Sequence, residues 1–260
     1  QRAVHEGRRA GGGDAEHEIV GTDVARVHLL RPVLGMVLRA LLGYGALSCF
    51  FYALVHLPLA DATVIQYTNP LWTALFAAIL LGERIRRLDG ALVLVSLVGV
   101  VLMTRPEALF GGAGQRLDLA AAGIALLGAV LSAMAYVIVR KLSTTEDALV
   151  IVFWFAALST IGAIPFTAAD AVMPTAWEWL ALAGIGVVTQ LGQVFMTHGL
   201  RLEKAGRVMA VGYMQIVFAA LWGVLFFAEV PDAWGIGGAL LIVLGTLGIA
   251  RRPAEREGTG

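Results

Sequence analysis

Hydrophobic residues form eight long, nearly uninterrupted stretches, which are separated by short segments containing charges, proline or clusters of glycine. An α-helix needs roughly 20 apolar residues to cross the hydrocarbon core of a bilayer, and most of the stretches reach that length. Strands are not expected, because the stretches are continuously apolar rather than alternating. The pattern predicts an all-α, polytopic transmembrane helical bundle. The predicted spans cover about residues 33–56, 60–81, 87–104, 117–139, 148–168, 177–200, 206–228 and 234–250.

Lysine and arginine are concentrated in alternate connections between the spans, which predicts how the bundle is oriented. The poorer side carries only Arg105 and Arg116, so the richer side is expected to be cytoplasmic and to include the C-terminus. A location in the cell inner (plasma) membrane follows. The richer side carries Arg26, Arg31, Arg84, Arg86, Arg87, Arg140, Lys141, Arg201, Lys204, Arg207, Arg251, Arg252 and Arg256.

The chain also repeats itself at a constant offset of 146 positions. Tyr67 matches Tyr213, Glu83 matches Glu229, and the surrounding apolar pattern matches as well. Five crossings separate the two glutamates, so the copies are expected to face opposite sides of the membrane. Inverted repeats of this kind are typical of secondary transporters that work by alternating access.

The repeat is unequal in length, because spans four and five have no counterparts upstream. We therefore expect inverted five-helix repeats in which eight spans are present and two N-terminal spans are missing; an authentic eight-helix protein is the alternative. The expected regions are a polar N-terminal segment (1–30), the remainder of the first repeat with three spans (31–107), the second repeat with five spans (117–252) and a cytoplasmic tail (253–260).

Composition agrees with a membrane protein and excludes several other classes. Hydrophobic residues make up 58% and charged residues 15% of the chain, against roughly 45–50% and 25% in soluble domains. No basic block suggests a nucleic-acid partner. The single Cys49 excludes an internal disulfide and a clustered thiolate metal site. No phosphate-binding loop motif is present, so ATP-driven pumping is not expected. We expect neither a cofactor nor a metal.

One segment carries a resemblance to a known family. The sequence NPLWTALFAAILLGE, residues 69–83, ends in a Leu-Gly-Glu motif, which the second repeat echoes at Ala228 and Glu229. With these residues the chain resembles the EamA-type members of the drug/metabolite transporter superfamily, from about Leu30 to Arg252. The resemblance implies ten helices in two inverted repeats, cytoplasmic termini and the movement of small organic solutes.

Polar side chains inside hydrocarbon are costly and usually face the bundle interior or a water-filled path. On a continuous helix, Asn69 would point roughly 200° away from Tyr67, so Asn69 and its partner in the second repeat, Gln215, are expected to tie helices together. Pro70 lacks an N–H and is expected to loosen its helix. Interhelical hydrogen bonding is the alternative for all candidates. The residues expected to line a substrate cavity are Gln66, Tyr67, Tyr136, Gln190, Gln193 and Tyr213.

Three charged residues near span ends are expected to have structural roles. Glu83 and Glu229 each close a helix at its C-terminus, where a carboxylate opposes the helix dipole, so each is expected to bond the start of a neighbouring helix. Arg39 is expected to extend its charge to the cytoplasmic headgroups. Because these three residues are not expected to line the cavity, the expected lining has no fixed charge. Such a lining suits neutral or zwitterionic solutes.

The sequence therefore predicts a secondary transporter, not an enzyme, that moves a small organic metabolite or drug-like solute across the cytoplasmic membrane. Its expected partners are the lipid bilayer, the solute and, as options, a proton as coupling ion and a second copy of the chain; no nucleic acid is expected. One alternative is an acyltransferase-like enzyme, because His56 and Asp61 have the H-x4-D spacing of a general base and its orienting carboxylate. A non-transporting, truncated membrane protein is the other.

Overall fold

The structure is a computed structural model that describes residues 13–84, 86–110, 118–167, 172–228 and 230–251. These residues form helices and connections, and none of them forms a strand. The predicted tail, residues 253–260, lies outside them. The helices are α1 (Gly13–His56), α2 (Leu59–Gln66), α3 (Asn69–Leu81), α4 (Arg87–Thr104), α5 (Glu107–Phe110), α6 (Leu119–Leu142), α7 (Ala148–Thr167), α8 (Ala176–Leu202), α9 (Ala205–Val211), α10 (Met214–Phe227) and α11 (Ala233–Ala250).

Eight segments of the described chain are long and apolar enough to cross a membrane, which confirms the predicted transmembrane bundle. Helix ends differ from the predicted span ends where polar residues continue a helix. α1 begins at Gly13, ahead of its membrane part Pro32–His56. Similarly, α6 continues through Arg140 and Lys141, because basic side chains are favourable in a last turn. The spans are Pro32–His56, Leu59–Leu81, Arg87–Thr104, Leu119–Leu142, Ala148–Thr167, Ala176–Leu202, Ala205–Phe226 and Ala233–Ala250.

The second span is broken in the middle, between α2 and α3. Pro70 has no N–H, and the N–H of Leu71 bonds to the carbonyl of Thr68 at 3.0 Å rather than to that of Tyr67. The Tyr67 carbonyl is therefore released from the helix ladder. This break explains why a proline can lie inside a membrane span: another group satisfies the released carbonyl.

The seventh span is broken at the matching place, between α9 and α10. Its break falls at Gly212 and Tyr213, which match Gln66 and Tyr67 at the 146-residue offset. No proline is needed here, since short-range bonds such as that from the N–H of Gln215 to the carbonyl of Gly212 (3.1 Å) replace the helical ones. Both repeats therefore interrupt the same helix, and the two breaks share the matched tyrosine.

The pair of α4 and α11 demonstrates the inverted arrangement directly. A Cβ on Gly99 would lie 2.6 Å from the carbonyl oxygen of Gly238 and 2.9 Å from the side chain of Ile242. In the matching contact, Gly245 lies against Ser96. Ser96 and Ile242 are counterparts at the 146-residue offset, as are Gly99 and Gly245. The repeat therefore relates the first contact to the second. The helices are antiparallel, because the last turns of one lie beside the first turns of the other, so the two repeats point in opposite directions.

Packing is concentrated around α6. α1, α2 and α3 pack against it, and residues such as Ala129, Ala133 and Val139 are fully buried there. A second buried cluster includes Val100, Tyr213 and Ile242 and joins α4, α10 and α11. By contrast, every residue of α8 from position 176 to 192 is exposed, and its buried residues are Thr197 and Leu200 near its C-terminal end.

Candidate functional site

A cavity with two lobes lies between helices of the two repeats. The first lobe, of about 460 Å³, is lined from α1, α2, α6, α7 and α8, and the second, of about 730 Å³, extends along α8 and α9. Their volumes are in the range of small-molecule sites. The two lobes share six lining residues and therefore form one continuous space. The shared residues are Tyr67, Asn69, Tyr136, Thr189, Gln193 and Gln215.

The two helix breaks meet beside this cavity. The hydroxyl of Tyr213 donates a hydrogen bond of 2.9 Å to the Tyr67 carbonyl that the first break releases. The two rings lie 5.8 Å apart. Counterpart residues of the two repeats are thus in direct contact where both spans lose their regular helix bonds.

Two carbonyl oxygens of the cavity wall are buried and have no hydrogen-bond partner within the described part of the chain. They are Oε1 of Gln66 and Oδ1 of Asn69. The amide nitrogen of Gln66 donates to the hydroxyl of Ser132 at 3.3 Å, which leaves its oxygen for another donor. Buried acceptors are normally satisfied, so these two are suited to an N–H or O–H group of a bound molecule.

Arg39 does not extend to the headgroups as the sequence predicted. Its side chain is only 4% exposed, and its guanidinium lies 3.7 Å from the centre of the Phe155 ring. Nη2 donates to Oε1 of Gln193 at 3.2 Å, and the side chain lines the first lobe. Arg39 lies seven positions beyond the start of its span, and the rule that a charge at such depth indicates a functional site would have identified it.

Four of the six residues expected to line a cavity do so: Gln66, Tyr67, Tyr136 and Gln193. Two are not brought to it. Tyr213 is fully buried behind Tyr67, and Gln190 is exposed on the bare part of α8 and lines neither lobe.

Asn69 and Gln215 were expected to tie helices together, yet both line the two lobes. The expectation assumed a constant 100° per residue. The break at Tyr67 and Thr68 removes that constant rotation, so Tyr67 and Asn69 reach the same space. In the second repeat Gln215 lines both lobes and Tyr213 lines neither, so those two residues stay apart. Pro70 is buried at the start of α3, directly after the first break.

Glu83 lies outside the cavity, in a network that joins four helix ends. Its Oε2 accepts from the N–H of Ala205 at the start of α9 at 3.0 Å, and its Oε1 accepts from Nε of Arg140 at 2.9 Å. Arg140 also donates to the carbonyls of Leu200 and Arg201, at 2.7 and 2.9 Å. The counterpart, Glu229, lies outside the described residues.

The residues of the acyltransferase alternative have other surroundings. His56 is exposed, its ring stacks on Tyr52 at 4.0 Å, and its Nδ1 lies 2.9 Å from the Tyr52 carbonyl oxygen. Asp61 is only 3% exposed and lies within α2. Pro58 separates the two and begins a new helix, so the spacing in sequence does not place both residues on one helix face.

Comparisons with known proteins place these features in context. The EamA-like transporter family matches residues 23–105, with three of the spans, and 119–251, with five. The chain is 42% identical over 229 residues to the Pseudopaline exporter CntI of Pseudomonas aeruginosa (strain UCBPP-PA14), which covers 87% of this chain and 78% of that protein. Human Solute carrier family 35 member G1 is 32% identical over 232 residues, 84% of this chain and 62% of its own length. A solved crystal structure superimposes with a TM-score of 0.68 at 28% identity, over 85% of this chain and 78% of the other.

Proposed function

The chain belongs to the EamA-like transporter family, and we propose that it moves a small organic solute across the cytoplasmic membrane by alternating access between its two inverted repeats. The observation that carries the proposal is the contact between Tyr213 and Tyr67, where two broken spans of opposite direction meet beside a cavity. Secondary transporters bind solutes at such discontinuous helices between inverted repeats.

In this mechanism the two repeats rock against each other around the cavity. The close contact of α4 and α11 supplies the axis, since Gly99 and Gly245 let the backbones approach without intervening side chains. The short helices α2 and α9 change their angle to α3 and α10 at the breaks, where few helical hydrogen bonds resist bending. The Tyr213 hydroxyl stays on the Tyr67 carbonyl in one state and is released in the other.

The names of the relatives guide the choice of solute and direction. One relative at 42% identity is named for the export of pseudopaline, so pseudopaline is the first solute to test and the outward direction is the first to measure. A wider set of small metabolites follows, because several amide and phenol groups in the cavity wall are able to bind many polar solutes.

Transport by purified protein in proteoliposomes tests the proposal. We expect time-dependent accumulation of pseudopaline, or of a member of a metabolite pool, measured with and without a pH gradient. Tyr67→Ala and the milder Tyr213→Phe are expected to reduce the rate at least tenfold, since each alters the contact between the repeats. Leu225→Ala, at an exposed position, is the matched control. Normal rates in both tyrosine variants would contradict the mechanism.

The proposed orientation has a separate test. In a Cys49→Ala background, single cysteines at Arg84 and Val230 report on the two sides, and both positions are exposed. We expect a membrane-impermeant thiol reagent added outside intact cells to label Val230→Cys and to label Arg84→Cys only after the cells are broken. Labelling of both from one side would contradict the proposed inverted topology.

A further inference from the structure

Arg39 brings a positive charge into the wall of the first lobe without bringing a partner for it. Its Nε is buried and has no hydrogen-bond partner in the described part of the chain. None of the ion pairs among the described residues involves it. It contacts the side-chain Oε1 of Gln193 and the face of the Phe155 ring, and both groups are uncharged.

A charge in such surroundings is costly unless an opposite charge neutralises it. Inside a membrane span, a charged residue that faces a cavity ordinarily belongs to the path of a solute or ion. We propose that Arg39 is the anion-binding residue of the cavity and that it binds a carboxylate group of the transported solute. The proposal rests on the transport function proposed above and adds to it the chemical class of the solute.

A carboxylate fits the first lobe better than a phosphate does. The guanidinium presents parallel N–H groups that match the two oxygens of a carboxylate. Among the described residues, Arg39 is the one charged residue that lines this lobe, so it compensates one negative charge rather than two. The neighbouring unpartnered groups, Oε1 of Gln66 and Oδ1 of Asn69, are acceptors; they would repel additional anionic oxygens and would accept from an N–H elsewhere on the solute.

Gly43, one turn after Arg39, provides the space for the guanidinium. A Cβ at Gly43 would clash with Nη1 of Arg39 and would lie 2.8 Å from the Phe155 ring. The second repeat has no equivalent arrangement, since Ile185 and Thr189 match Arg39 and Gly43 at the repeat offset. The site is therefore single, and one carboxylate binds per cavity.

Binding of matched probe pairs to the purified chain in detergent tests the proposal. The pairs are acetate and acetamide, succinate and succinamide, and 3-phenylpropionate and 3-phenylpropionamide; phenyl phosphate represents the phosphate class. We expect at least one carboxylate at about 10 mM to raise the thermal unfolding midpoint by about 2 °C, and its amide partner to have no effect. Equal shifts by acid and amide, a shift by phenyl phosphate alone, or no shift by any probe would overturn the proposal.

Four variants connect the shift to the site. Arg39→Gln is expected to abolish the shift by the carboxylate, and Arg39→Lys to retain part of it, because an ammonium keeps the charge but lacks the planar donor pair. Gly43→Ala is expected to abolish it as well, since the charge remains but the guanidinium is displaced. Gly45→Ala is the control, because within the described part of the chain its Cβ would meet only Leu131, at 3.6 Å. A full shift in Arg39→Gln would overturn the proposal.

Stability without any probe separates binding from a structural role. If Arg39 served the fold, Arg39→Gln would lower the unliganded midpoint. If Arg39 instead forms an anion site that is empty in the absence of a probe, Arg39→Gln removes an uncompensated buried charge. We then expect the unliganded unfolding midpoint to stay the same or to rise. A fall of more than about 3 °C would overturn the proposal.

Transport measurements keep this inference separate from the proposed function. We expect Arg39→Gln to reduce transport of carboxylate solutes at least tenfold. Unchanged transport of those solutes in Arg39→Gln would overturn the role of Arg39 and leave the transport function intact. Carboxylate binding that requires Arg39, together with no transport by the unaltered chain, would support the site and count against the transport function.

Discussion

α1 and α8 occupy equivalent positions in the two repeats, yet they are packed very differently. The membrane part of α1 buries residues along its whole length, from Met36 to Ala53. α8 is exposed at every position from 176 to 192, including the polar Gln190. In a bilayer, a helix of a bundle normally has at least one face against protein, where small and polar residues lie. It is therefore unusual that every face of α8 is exposed over these positions.

The partners of α1 explain the difference. α1 packs against α6 and α7, which are spans four and five. These are the two spans that have no counterparts in the first repeat. Under the inverted symmetry, α8 would pack against the counterparts of α6 and α7. We therefore propose that two further spans cover α8 in the working transporter, in agreement with the five-plus-five arrangement expected from the sequence.

The largest expected effect comes from a valine substitution at a glycine that is packed against another helix. The same substitution at an exposed glycine serves as its control. In Gly99→Val the new side chain meets the backbone of α11, where the Gly238 carbonyl oxygen would lie 2.6 Å from a Cβ. Backbone cannot move aside as a flexible side chain can, so we expect a loss of about 3 kcal/mol or more in the free energy of unfolding, measured by denaturant titration in mixed micelles.

Gly184→Val is the matched control on α8, since no atom of the described residues lies within 4 Å of a Cβ there. We expect it to leave the free energy of unfolding of this chain within about 0.5 kcal/mol of the unaltered value. In a protein that carries two further spans, the same variant is expected to become destabilising. An equal loss in both variants of this chain would contradict the packing difference between the two regions.

The second prediction concerns the helix ends that hold α8 where it is packed. Glu83→Gln removes the charge that binds Arg140 and the N–H of Ala205, and the Glu83 side chain is only 10% exposed. Hydrogen bonds of this kind contribute about 2 kcal/mol when a charged partner is involved. We expect a loss of that size, again by denaturant titration, with Arg84→Gln as the control at an exposed neighbour. No loss would show that Glu83 has no structural role.

The architecture was predictable from the sequence because it depends on long patterns. Eight apolar stretches and a fixed repeat offset are averages over many residues, and the structure agrees with both. The site was less predictable because it depends on where regular geometry fails. The rotation of a continuous helix separates Asn69 from Tyr67, whereas in the structure both line the cavity, since nothing in that rule anticipates a break at Tyr67.

Arg39 shows a second limit of the sequence. A charge seven residues inside a span is within reach of the headgroups for a side chain of that length, and only the packing of Phe155 and the space at Gly43 turn it inward. Gly43 is only one turn away in the sequence, but Phe155 comes from α7, so the surroundings that turn Arg39 inward are not visible near Arg39.

The third prediction compares the two helix C-termini that follow the broken spans. Gly82 and Ala228 are counterparts, and both adopt a left-handed conformation, with φ of 70° and 56°. Glycine adopts it without strain, whereas the Cβ of alanine makes it unfavourable. We expect Ala228→Gly to raise the free energy of unfolding by about 1 kcal/mol, and Gly82→Ala to lower it by a similar amount. A change of the same sign in both variants would contradict this account.

The smallest expected effect lies at the end of the bundle opposite Glu83. Arg105 and Asp232 form an ion pair of 2.9 Å between α4 and α11, but the two side chains are 47% and 45% exposed. Water and salt screen such a pair, so we expect Arg105→Ala to lower the free energy of unfolding by only about 0.5 kcal/mol, and by less at high salt. Arg105 is the better partner to change, because Asp232 also accepts from the N–H of Gly235 and so caps α11. Alanine keeps a Cβ, so the strain of the left-handed conformation at position 105 is unaltered. A loss as large as that of Glu83→Gln, or one that salt does not reduce, would mean that both ends of the bundle are held equally firmly.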